Sequence, residues 1–310
     1  MRPSRPLIGL VAAVHTPFRP DGSLHLEVVE AQAAHLRAHG IDIAFVGGST
    51  GEGHSLSLEE RRALARQWIE AARGTTLGVV VHVGANCLAD AQNLAAQAEK
   101  LGALAISALA PSYFKPRDVD ALVACCADVA AAAPRTPFYF YDIPALTGVS
   151  LSMPDFLERA EGRIPTLAGI KFTSPDLAAY QLCLRAANGR FDVPYGVDEW
   201  LLAALVLGAR GAVGSTYNFA APLYQRMLRA FAASDLAAAR EEQLRSVEIV
   251  RQLAGYGYLG AAKAVMAMLG VEVGPPRLPN LGLSAVAAAQ LRGRLEALGF
   301  FDWIRRRALP

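Results

Sequence analysis

Eight short apolar runs recur along this chain, and each is followed by a longer segment with helical periodicity. The runs fall at residues 9–16, 43–47, 77–83, 104–109, 137–141, 167–171, 191–196 and 211–214. Their apolar residues are continuous rather than alternating, as in strands covered on both faces. A strand–helix unit repeated about every 30 residues predicts an α/β protein, a (β/α)8 TIM barrel. The competing architecture, an open doubly wound sheet, calls for a GxGxxG turn after a strand, and no GxGxxG follows any of the strand runs. The barrel is expected over residues 1–235, with residues 236–310 as a C-terminal helical extension.

Composition narrows the partners. Apolar residues make up 53% of the 310, enough for one large core. Charged residues are 19%, the net charge is +2 and there is no polybasic block, which argues against nucleic acid or an anionic membrane surface. No stretch reaches the roughly 18 uncharged apolar residues of a membrane span. Arg2 and Arg5 before the apolar run 7–14 faintly resemble a secretory leader, but no small-residue cleavage site follows, and the run reads as the first buried strand. Cys87, Cys125, Cys126 and Cys183 form no CxxC and read as small buried apolar residues in a reducing compartment. The expected location is the cytoplasm.

Only four of the 30 basic residues are lysines: Lys100, Lys115, Lys171 and Lys263. Each therefore raises the question of what arginine could not do there. All six histidines lie at or before His82. His35 and His39 stand four apart on a predicted helix without the Glu of an HExxH motif, and read as a polar surface face. No metal site is expected.

In a barrel of this kind the active site forms at the C-terminal ends of the strands. Those ends carry Gly47-Gly48-Ser49-Thr50-Gly51-Glu52, Tyr141-Asp142-Ile143-Pro144, Lys171, Gly196-Val197-Asp198-Glu199 and Gly214-Ser215-Thr216-Tyr217-Asn218. Lys171 ends an apolar run, where a charge is costly unless paired or neutralised. A buried amine that gives up its proton is a nucleophile toward carbonyls, a role closed to arginine. That reading is a Schiff base; the other is an ion pair with Glu52 or Asp142. Tyr141 lies 30 residues earlier, one strand–helix unit away, so it should neighbour Lys171 and could shuttle a proton. It could equally be an aromatic core residue like Tyr139. The glycines around Ser49 and Thr50 allow backbone N–H groups to converge on an anion. Asp198 and Glu199 suit either a hydroxyl-rich ligand or a helix N-terminus.

From Gly9 to about Asn218 the chain resembles the dihydrodipicolinate synthase and N-acetylneuraminate lyase family of pyruvate-dependent class I aldolases. The Gly48-Ser49-Thr50-Gly51-Glu52 loop, Tyr141-x-Ile143-Pro144 and Gly169-Ile170-Lys171 carry the likeness, in order and spacing. The dihydrodipicolinate synthases have a carboxylate-binding arginine where this chain has Leu146; the segment 143–148 is instead similar to the N-acetylneuraminate lyases. The resemblance implies reversible cleavage of N-acetylneuraminate (sialic acid) to N-acetylmannosamine and pyruvate, with no cofactor. It implies Lys171 as the Schiff-base lysine, Tyr141 as the proton carrier with Ser49 in its relay, and the Ser49 and Thr50 amides on the carboxylate. Thr173, Gly196, Asp198, Glu199 and Ser215 would line the sugar end. Tyr113 would reach a neighbouring subunit's site in a homotetramer. An aldolase for another 2-keto-3-deoxy sugar acid, a dihydrodipicolinate synthase-like enzyme and a non-catalytic sugar-acid sensor are the alternatives. Phe172 and Asp142 depart from the bacterial pattern, and Trp200 is expected to narrow the pocket.

Overall fold

Seven parallel strands form one sheet in the order β6-β5-β4-β3-β2-β1-β7. They are β1 (Gly9–Ala13), β2 (Ile43–Val46), β3 (Gly78–His82), β4 (Ala105–Leu109), β5 (Phe138–Asp142), β6 (Leu167–Phe172) and β7 (Gly211–Gly214). The computed structural model describes residues 6–305; Arg2 and Arg5 lie outside them. The first apolar run is a buried strand, as expected.

The two ends of this sheet meet through residues 192–195, the seventh of the eight expected strands. Asp192 and Tyr195 pair with Gly169 and Phe172 of β6 on one side, and Tyr195 pairs with Ala212 of β7 on the other. Pro194 has no N–H to donate, so this stave is held by isolated bridges instead of a continuous ladder. It nonetheless closes the ring. Gly169 permits the closure: a Cβ there would stand 1.6 Å from the Asp192 carbonyl oxygen.

Two apolar layers result. Inside the ring lie Val11, Phe45, Val80, Tyr139, Tyr141 and Val213. Outside it, Phe138, Phe140, Ile170 and Phe172 pack against the surrounding helices. The helices start where the chain supplies caps: Ser57 and Glu60 make a reciprocal capping box on Leu58–Ala72, and Asp118 and Asp176 cap later helices. The first helix begins at Val28, after a turn over 19–25 held by backbone hydrogen bonds of Arg19 and Ser23.

One irregularity decides where Lys171 points. Phe138 pairs with Leu167, but Tyr139 pairs with Gly169, so Ala168 is an extra residue in β6. Leu167 faces the helices. A strict period of two would send residue 171 the same way, and the bulge reverses the phase and brings Lys171 into register with inward-facing Tyr141.

The C-terminal region is helical: Leu236–Ala254, Tyr258–Met268, Ala285–Leu298 and Phe300–Arg305. Of the cysteines, Cys126 and Cys183 are buried as expected, but Cys125 is half-buried and Cys87 exposed at the start of a helix. His35 and His39 are half-buried rather than a free surface face. Their rings lie 4.3 Å apart, and His35 Nε2 lies 2.9 Å from the Asn218 carbonyl.

Candidate active site

A cavity of 260 Å³ opens at the C-terminal ends of the strands, with Lys171, Tyr141, Ser49 and Thr50 in one wall and Thr173, Glu199 and Ser215 in another. It adjoins an outer chamber of 800 Å³ that shares Ser49, Thr50 and Tyr258 with it. Five separate strand ends thus deliver the polar groups that the sequence placed there.

Lys171 is 3% exposed. Its Nζ stands 3.8 Å from the centroid of the Tyr141 ring and 4.4 Å from that of Phe45, so aromatic faces surround the amine. Among the described residues no carboxylate lies within ion-pair distance of it. The ion-pair expectation fails on both partners. Glu52 is bound by Lys263 at 2.8 Å, and Asp142 lines neither cavity.

The Tyr141 hydroxyl lies 3.3 Å from Ser49 Oγ. Its ring meets Phe45 and His82 edge-on. The loop after β2 turns at Gly47, whose φ of 72° suits glycine. The chain doubles back so tightly that a Cβ on Gly53 would stand 1.9 Å from the Gly47 carbonyl oxygen. The Gly53 and Glu52 amides donate to Gly48 and Ser49. The Ser49 and Thr50 amides donate to no group among the described residues.

At the other end, Asp198 is buried and its Oδ2 accepts from the Thr216 amide at 3.1 Å and hydroxyl at 2.6 Å. Burial raises its carboxyl and these hydrogen bonds lower it in part. Glycine at 214 is required here, since a Cβ would stand 1.9 Å from Asp198 Oδ1. Gly196 likewise leaves room for Thr173, whose Oγ1 would be 2.0 Å from a Cβ. Glu199 is half-buried, and burial raises its carboxyl too. Ser215 Oγ lies 2.6 Å from the Tyr258 hydroxyl.

Tyr258 and Val250 belong to the C-terminal helices and were not expected in the site. No local motif announces them; they arrive only through packing of helices distant in sequence. Trp200 is 49% exposed and is not part of the cavity wall, so it does not narrow the pocket. Tyr113 does not enter the site of its own chain: it is 78% exposed, edge-on to exposed Phe114.

Asp142 is buried without an ion-pair partner among the described residues, and burial raises its carboxyl to about 7. The unfolded chain ionises this group near pH 4. Native stability is therefore lost as pH rises from about 4 to about 7, and the deficit is constant above. Asp142→Asn is expected to stabilise the protein by about 2–4 kcal/mol at pH 8 and by little at pH 4, at about 1.4 kcal/mol per pH unit. Urea unfolding at both pH values measures this; an equal gain at each, or a loss at pH 8, would refute it.

Fold and cleft together define a class of lyase: a (β/α)8 barrel whose mouth is centred on one buried lysine. The chain belongs to the dihydrodipicolinate synthetase family, whose model matches residues 6–298. It is 42% identical over 306 residues to the N-acetylneuraminate lyase of Gallus gallus, covering 97% of this chain and 99% of that one. The structure of Proteus mirabilis N-acetylneuraminate lyase matches with a TM-score of 0.93 at 42% identity, over 96% of this chain and 100% of that one. A catalytic lysine mutant of Ruminococcus gnavus sialic acid aldolase matches with a TM-score of 0.92 at 27% identity, over 99% and 100% of the two chains.

Proposed function

We propose that this chain cleaves N-acetylneuraminate reversibly to N-acetylmannosamine and pyruvate through a Schiff base on Lys171. The observation that carries the mechanism is the position of the Lys171 amine, buried against the Tyr141 ring beside the open Ser49 and Thr50 amides. The substrate rests on the lyase relatives, with which the chain shares about two-fifths of its residues over nearly its whole length. Leu146, 67% exposed on the outer chamber, offers no cation to a second carboxylate and so does not support a dihydrodipicolinate synthase-like activity. A sensor would have no use for both Lys171 and Tyr141.

The Lys171 amine adds to the C2 ketone of the open-chain sugar acid and water leaves, giving a protonated imine. The Ser49 and Thr50 amides hold the adjoining carboxylate. The C4 hydroxyl then loses its proton toward Tyr141, relayed by Ser49, while the C3–C4 bond breaks and its electron pair enters the imine to give an enamine. N-acetylmannosamine departs as the aldehyde. Protonation at C3 and hydrolysis of the imine release pyruvate and restore the amine. Thr173, Gly196, Asp198, Glu199 and Ser215 line the region of the sugar tail. Asp198 is buried and bonded to Thr216 through Oδ2, and half-buried Glu199 is the more open acceptor for hydroxyls. Tyr113 completes the site of a neighbouring subunit in a cytoplasmic homotetramer. The barrel unit is taken as 1–235 and the helical extension as 236–310, of which 1–5 and 306–310 lie outside the described residues.

Incubation with pyruvate and borohydride, followed by intact and peptide mass spectra, tests the mechanism. One reduced pyruvyl adduct per chain, on Lys171, is expected; no adduct on folded protein overturns it. A panel of sugar acids then tests the substrate, with N-acetylneuraminate expected to give the highest kcat/KM.

A further inference from the structure

The loop that carries Ser49 and Thr50 is held from behind by a buried ion pair. Lys263 Nζ lies 2.8 Å from Glu52 Oε1, and both side chains are 1% exposed. The ammonium also donates to the Thr16 carbonyl at 2.8 Å and the Pro275 carbonyl at 3.0 Å. The compact ammonium thus meets three oxygens, two through hydrogen bonds and one as its ion-pair partner, a tripod that a planar guanidinium does not match. Glu52 Oε2 accepts the Arg277 backbone N–H at 2.8 Å. Thr16 Oγ1 in turn donates to the Gly51 carbonyl. Glu52 itself takes a left-handed backbone, φ 51°, at a residue that is not glycine. That conformation is costly for a side-chain-bearing residue and persists where its surroundings over-determine it.

Lys263 and Tyr258 sit on the same helix, Tyr258–Met268. That helix therefore meets the cleft twice, with Tyr258 on Ser215 and with Lys263 on Glu52. We propose that the Glu52–Lys263 pair is a positioning device for the carboxylate nest: it fixes the loop so that the Ser49 and Thr50 amides converge on the α-keto acid. Neither side chain touches substrate. The inference rests on the reading that those two amides hold the carboxylate.

The test compares borohydride trapping of pyruvate and of acetone, in which methyl replaces the carboxylate. Second-order rate constants for adduct formation on Lys171 are measured for the wild-type chain and for Glu52→Gln, with folding checked by circular dichroism. The wild-type chain is expected to favour pyruvate strongly. Glu52→Gln weakens a charge-assisted anchor and should lower the pyruvate-to-acetone ratio about tenfold. Acetone trapping should stay within about twofold, and saturating pyruvate should still give one adduct per chain.

A merely structural role would lower both ketones together, and that outcome, or an unchanged ratio, overturns the proposal while leaving the carboxylate reading intact. Equal trapping of the two ketones by the wild-type chain removes the carboxylate reading and the proposal with it. If Glu52→Gln does not fold, Arg277→Ala replaces it. That side chain bonds Glu60, Gly22 and Ser55 at part-exposed sites and so anchors the backbone N–H that Glu52 accepts. A fall in the ratio of about threefold supports the proposal, and no fall overturns it.

Discussion

Lys171→Ala is expected to lower kcat for N-acetylneuraminate cleavage by at least about 10⁴-fold, because the covalent route has no other entry. The remaining lysines offer no substitute. Lys263 is buried behind the nest, held by the Glu52 carboxylate and two backbone carbonyls, while Lys100 and Lys115 are exposed. The fold should tolerate the change, since the amine has no ion-pair partner among the described residues to strand. Steady-state assays with a lactate dehydrogenase couple, together with intact mass after pyruvate and borohydride, read the outcome. Activity within about 100-fold of wild type in a folded variant, or an adduct elsewhere in the chain, would sink the assignment.

Tyr141→Phe separates two steps that the lysine variant removes together. Phenylalanine keeps the ring under the Lys171 amine and its edge contacts with Phe45 and His82. It removes only the hydroxyl, and with it the 3.3 Å contact to Ser49. General acid–base catalysis contributes about 10²–10⁴-fold, and kcat should fall by that factor. Imine trapping should still go to one adduct per chain, with KM changed little. A loss in kcat of less than about tenfold would take the proton from Tyr141 and leave another group to carry it. A variant that also failed to trap pyruvate would make Tyr141 a positioning group for the amine.

The barrel was legible because covered parallel strands write continuous apolar runs, and helices between them write a different period. Lys171 was legible because a lone lysine at the end of such a run has no bland surface explanation. Its neighbours were less so. Glu52 was a reasonable ion-pair partner on charge alone, but its partner is Lys263, which approaches from a helix more than 200 residues away in sequence. Tyr258 entered the site by the same helix, with no motif to mark it. Residues 191–196 read as an ordinary strand, yet Pro194 breaks the ladder that would have made one. Trp200 looked like a pocket wall because it follows Glu199, but in the 3-10 turn Asp198–Trp200 successive side chains diverge around the axis.

The extra residue at Ala168 gives the sixth strand something like a reading frame. Which residue is reactive depends on parity counted from that position, not only on a lysine being encoded. Substitutions along 167–170 leave the count intact, whereas a one-residue insertion or deletion there would turn an unchanged lysine toward the outer helices. Transplanting this amine into another eight-stranded scaffold therefore means copying the irregular pairing with Tyr139 along with the side chain. Relatives are best aligned at this strand outward from Gly169, because upstream of it the same letters face the opposite way.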